Sequence, residues 1–166
     1  MLIVLACFQS LTAQITQEEN LERMWIYELS SDALLHYIDT ASVEALLKNR
    51  AILHKALYDV ADVDIHMKYN RRFVEAARAV NDKKAEAIAY VIRVEALYNY
   101  GVPDSLLLAE SIEALDFMRD VPGADVHYFF TASVIGEVYI RMGNYNEALR
   151  MAEKFYKEAR EMNNNA

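Results

Sequence analysis

A single cysteine, Cys7, among 166 residues excludes an intrachain disulfide and leaves no Cys/His set for a structural zinc ion. Glycine and proline are equally scarce, at four and two copies, which excludes a fold built from many short strands and tight turns. Positive charge is in deficit: 17 Lys and Arg stand against 25 Asp and Glu, for a formal net charge of -8. Nucleic-acid binding draws its affinity from a basic face that displaces counterions, so that class is excluded too. The only basic pairs singled out, Arg71-Arg72 and Lys83-Lys84, read as solvated helix faces.

Catalytic patterns are missing as well. No glycine-rich phosphate loop occurs, and Ser133 precedes Gly136 without the G-x-S-x-G elbow. His36, His54, His66 and His127 each lack a second ligand at metal-binding helical spacing and read as surface or core-edge residues. Glu110, Glu113 and Asp116 share one helix face, where the expectation is solvation and not acid–base chemistry. The chain is therefore expected to be non-catalytic, with no cofactor and no metal.

What is present is apolar residues, 54% of the chain, enough for one domain with a real core. Residues 1–13, MLIVLACFQSLTA, carry no charge and give way abruptly to Gln14-Ile15-Thr16-Gln17-Glu18-Glu19. A run this short, ending in small residues, reads as a signal peptide cleaved near Ala13, which places the mature chain outside the cytoplasm, in the periplasm or cell envelope. Val4-Leu5-Ala6 ahead of Cys7 also loosely matches a lipidation signal, though the run before it is short and an ordinary cysteine of the apolar run is the plainer reading. Residues 14–40 form lead helices, one over Glu18 to Leu29 and one capped by Ser30-Ser31-Asp32.

From residue 41 to 166, segments of helical period alternate with short breaks. Thr40 or Ser42 caps a helix running to about Val60, and Asp62 and Asp64 open the next. Asn81-Asp82 breaks that one, and a further helix covers Lys83 to Tyr100. Gly101-Val102-Pro103-Asp104 is a turn, with Asp104 or Ser105 as the following cap, and that helix reaches Arg119. Val121-Pro122-Gly123-Ala124-Asp125 is a second turn, followed by helices over Val126 to Met142 and Tyr145 to Met162 and a polar tail. Short loops predict antiparallel neighbours, and regular pairs predict a solenoid of about three helix pairs.

Ile135, Gly136, Tyr139, Gly143, Tyr145 and Ala148 form the pattern I-G-x-x-Y-x-x-x-G-x-Y-x-x-A. It resembles the helix-turn-helix of the tetratricopeptide repeat (TPR), in which small residues such as Gly136 and Ala148 let helices approach and Ile135 and Tyr139 fill the seam. On that reading Gly136→Leu overfills a close contact. Gly101 precedes Gly143 by 42 residues, against about 34 in the family, so longer helices or linkers are expected. The earlier copy is degenerate, with Val94, Leu97, Pro103 and Leu106 at the matching positions, and the first pair, Ser42 to Val80, keeps only the rhythm. With Asn81-Asp82-Lys83-Lys84-Ala85-Glu86-Ala87, Gly101, and Gly143-Asn144-Tyr145-Asn146-Glu147-Ala148-Leu149, the stretch 64–165 is similar to exported TPR regions of bacterial sensor histidine kinases.

The resemblance implies an all-α, right-handed TPR-like solenoid that binds a protein or peptide, as the extracytoplasmic sensing part of a longer signalling protein. A membrane would enter only through a further C-terminal region or a lipid anchor. In the family the inner helix of each pair lines a concave groove. Here that implies Phe130, Ser133, Glu137, Ile140 and Arg141, and in the earlier copy Ile88, Val91, Glu95, Tyr98 and Asn99. Eleven tyrosines suit either interhelix packing or such a groove. The alternative is a purely structural spacer or dimerisation domain.

Overall fold

The computed structural model describes residues 30–49, 55 and 62–164. The expected signal peptide, the lead helix over 18–29 and most of the helix expected to reach Val60 lie outside them. Among the described residues the chain is all-helical. In order the helices are α1 (Ser31–Thr40), α2 (Val43–Lys48), α3 (Val63–Ala79), α4 (Lys83–Asn99), α5 (Asp104–Met118), α6 (Asp125–Arg141) and α7 (Tyr145–Asn164).

Local chemistry sets most of the boundaries. The Ser30 and Ser42 hydroxyls accept from the Ala33 and Ala45 amides, capping α1 and α2. The Asp62 carboxylate accepts from the amides of Asp64 and Ile65, and that of Asp82 from Ala85. Each satisfies donors that have no intrahelical partner. Three helices end in one way. Asn81, Gly101 and Gly143 adopt φ of 56°, 63° and 75°. The next amide in each case turns back to a carbonyl five residues earlier: Asp82 to Ala77, Val102 to Leu97 and Asn144 to Tyr139. This is the Schellman closure, which demands a residue tolerant of left-handed backbone.

Two boundaries depart from expectation. Pro103, not Asp104 or Ser105, occupies the cap position of α5 and supplies no side-chain hydrogen bond, so Asp104 is left free for another partner. Helix α7 runs into the polar tail as far as Asn164, because no glycine or proline stops it.

Each helix from α3 onward packs on the next, α2 packs on α3, and α4 also packs on α6 across the sequence of α5. Helix α4 is thereby enclosed by three neighbours, and eleven of its seventeen residues are buried. It has no solvated stripe to speak of, as expected of a central helix. Close approach is provided by alanines: Ala77, Ala87, Ala96 and Ala114 are fully buried.

Gly136 plays no such part. Among the described residues, nothing lies within 4 Å of a Cβ built on it, so a side chain there does not overfill a helix contact. The sequence pattern identified a small residue, but α6 turns it toward open space. Gly136→Ala is accordingly expected to stabilise the fold by about 0.5–1 kcal/mol, through lower backbone entropy in the unfolded chain, as read from urea midpoints at unchanged slope. A destabilised variant would mean that α6 sits in a different register.

Candidate functional site

The residues expected to line a groove fall on α4 and α6, the two helices that meet across α5. Tyr98 lies in the last turn of α4, and its hydroxyl donates to Glu137 Oε1 on α6 at 2.8 Å. That carboxylate holds the phenol proton and raises the Tyr98 pKa, with burial adding to the effect. One turn beyond Glu137, Arg141 lies 3.5 Å from the same Glu137 oxygen and stacks over the Tyr98 ring at 5.5 Å from its centroid. Its Nε and Nη2 donate to Asp104 Oδ1 at 3.0 and 2.6 Å. Tyr98, Glu137, Arg141 and Asp104 therefore form one chain of contacts linking the end of α4, the start of α5 and the end of α6.

Asp104 was not legible as a member of this chain. Its partner is 37 residues away, and its position after a turn made it look like a cap. The three charged groups are each about one-third exposed or more, so their ion pairs contribute little to stability and the network acts mainly to fix side-chain positions.

The remaining expected residues divide into two groups. Asn99 and Ser133 are exposed, and the Ser133 hydroxyl donates to the Phe130 carbonyl one turn back. Val91 and Phe130 are buried in the hydrophobic core and do not line an open groove. The cause is the enclosure of α4 and the packing of α6 against α4, α5 and α7, which leaves those stripes no solvent. Ile88 is half-buried, and Ile140 is exposed.

Glu95 combines two properties that do not normally coexist. It stands three residues before Tyr98 and four after Val91, on the same side of α4. It is only 5% exposed, yet Oε1 has no hydrogen-bond partner among the described residues. Burial alone pushes its pKa up to about 7.

Other polar groups are placed differently from expectation. Glu110 is only partly exposed. It lies 2.9 Å from Arg93 of α4, which also approaches Glu113 and stacks on Tyr90 at 4.6 Å. Arg72, half-buried, donates to the Ala41 carbonyl between α1 and α2 and is not part of a free basic face. His66 is a core residue and not a surface one. It shares the buried stripe of α3 with Tyr69, Asn70 and Phe73, its ring meets Tyr100 edge-on, and burial lowers its pKa. Among the described residues, no three His, Cys, Asp or Glu side chains are grouped to hold a metal ion, and no helix is long and apolar enough to cross a membrane.

Compared with known proteins, the chain matches no family model, none of the curated proteins and none of the solved structures.

Proposed function

We propose that this chain is a non-catalytic, TPR-like module that binds a protein or peptide along the face shared by α4 and α6. The observation that carries the reading is the direct packing of α4 on α6, bridged by Tyr98, Glu137 and Arg141. In a stack of helix pairs the first helix of each pair lies beside the first helix of the next. The helix starts agree with such a stack. First helices begin at Val43, Lys83 and Asp125, and second helices at Val63, Asp104 and Tyr145, so equivalent starts recur every 40 to 42 residues. A right-handed solenoid of three pairs is the arrangement proposed.

Role and location belong to the same proposal. The uncharged run at residues 1–13 supports export to the periplasm or envelope, and the histidine-kinase resemblance supports a sensing role within a longer signalling protein. The competing reading, a structural or dimerisation domain, is favoured by one observation. Tyr145, Leu149 and Tyr156 stand exposed along one side of α7.

Selection of randomised twelve-residue peptides on the wild-type chain tests the binding reading. Tyr98→Ala is expected to weaken the selected peptides about tenfold or more, as loss of an aromatic contact residue does, with helicity unchanged. Failure to select any peptide, or equal affinity for the variant, would leave the structural reading in its place.

A further inference from the structure

Ten large apolar side chains are exposed among the described residues, and half of them fall between positions 140 and 156: Ile140, Met142, Tyr145, Leu149 and Tyr156. Such a concentration, unlike scattered exposed residues, marks a surface that another molecule covers. Its centre is α7. Helix α5 has both α4 and α6 as neighbours, whereas the one substantial neighbour of α7 among the described helices is α6. Ala148 and Phe155 bury one side of α7 against the core, and Phe155 meets the Tyr128 ring of α6 edge-on. Beside them Tyr145, Leu149, Ala152 and Tyr156 form an exposed stripe. We propose that a second copy of the chain docks on this stripe, the two α7 helices lying antiparallel about a two-fold axis. The pairing is independent of the peptide-binding reading, which uses α4 and α6.

The stripe itself selects the occupant. Its members are spaced 4, 3 and 4 residues apart, an order that reads the same in either direction. An inverted copy therefore matches it position for position. Tyr145 meets Tyr156 of the second copy, and Leu149 meets Ala152, a large residue against a small one, each contact made twice by symmetry. Arg160 lies 5.9 Å from the Tyr156 ring centroid, so each pair of tyrosines also has a cation beside it. Charge agrees. Helix α7 carries four acidic and four basic residues and sums to zero, which leaves the whole -8 of the chain elsewhere. Two copies repel through their other surfaces and not through α7, and a helix of balanced charge favours neither a basic nor an acidic partner.

Sedimentation velocity of the full chain and two variants tests the pairing. The wild type is expected to sediment as a dimer at about 100 µM and to dissociate on dilution. Leu149→Glu places a charge at the centre of the contact twice. It is expected to raise the dissociation constant at least about a hundredfold, giving a monomer of unchanged helicity. Val126→Glu, at an exposed apolar residue of α6 away from the stripe, should remain dimeric. Direction is read from single cysteines introduced with Cys7→Ser and oxidised to disulfides. In antiparallel copies the two residues 152 lie about 5 Å apart along the axis and the two residues 160 about 28 Å. Ala152→Cys should therefore cross-link and Arg160→Cys should not. A wild type that stays monomeric would overturn the proposal and leave the stripe to a different protein. A dimer unchanged by Leu149→Glu, or lost equally in Val126→Glu, would overturn the choice of face. An open series of larger species would overturn the two-fold arrangement, and equal cross-linking at both positions the antiparallel direction.

Discussion

Replacing Glu95 with glutamine is expected to favour the folded state more at pH 8 than at pH 4. Glu95 is buried, and its pKa is pushed from an ordinary 4.5 to about 7 by burial alone. A raised carboxyl pKa means that the folded state holds a proton the unfolded state has already released. Stability contributed by the neutral form is therefore complete below about pH 4.5, falls as pH rises through the interval to 7, and levels off above it. The full difference amounts to about 3 kcal/mol, from about 1.36 kcal/mol for each pH unit between the two pKa values. Glutamine keeps the shape and never ionises. The two pH–stability curves should run parallel below pH 4.5 and diverge above it, the variant gaining about 6–12 °C in melting temperature relative to wild type between pH 4 and pH 8. The informative quantity is the pH dependence of the gap, because a buried amide has unpaired donors of its own whose cost does not vary with pH. A gap independent of pH would show that Glu95 finds a partner in solution.

What could be read in the sequence was whatever short-range chemistry determines. Gly101 and Gly143 end their helices as expected because left-handed backbone is a local demand, and Asp62 begins a helix as expected because a cap needs only its own next three residues; Asp82, expected only as part of a break, caps in the same way. The all-helical class followed from the same signals. Asp104 shows where that reasoning stops. Its carboxylate had a good local use and took a distant one, in Arg141, and no spacing rule connects residues that far apart. Glu110, expected on a solvated face, and Glu95, expected to line a groove, fail for a related reason. How exposed a helical glutamate is depends on the neighbouring helices, which sequence spacing does not give: α4, which carries Glu95, has three of them, and Glu110 on α5 faces Arg93 of α4. The α4 sequence, KKAEAIAYVIRVEALYN, has no clear polar side, which in retrospect marks a helix enclosed by others. Gly136 erred in the opposite direction: a residue compatible with close packing was assigned to a contact, while alanines elsewhere fill that role.

Ile135→Ala is expected to cost about 3–4 kcal/mol, the larger of the two effects argued in full. Ile135 is fully buried in α6, among the largest side chains to be so. Truncation removes three heavy atoms from an apolar environment and leaves a cavity, and the measured cost of such changes spans about 2–5 kcal/mol according to how far the surroundings relax. Relaxation is limited here, because α6 is held by α4, α5 and α7 at once and cannot move toward one neighbour without parting from another. That places the expected cost above the bottom of the range. The comparison that makes the prediction sharp is Ile140→Ala, the same substitution in the same helix. Ile140 is 54% exposed, so its truncation should change stability by about 0.5 kcal/mol or less. Urea unfolding of the two variants should show a marked drop in midpoint for the first and almost none for the second, with the slope unchanged in both. Equal losses would mean that α6 is rotated from the orientation described. Tyr98, Glu137 and Arg141 depend on that same orientation, so the pair of isoleucines checks the geometry of the proposed binding face with no knowledge of its ligand.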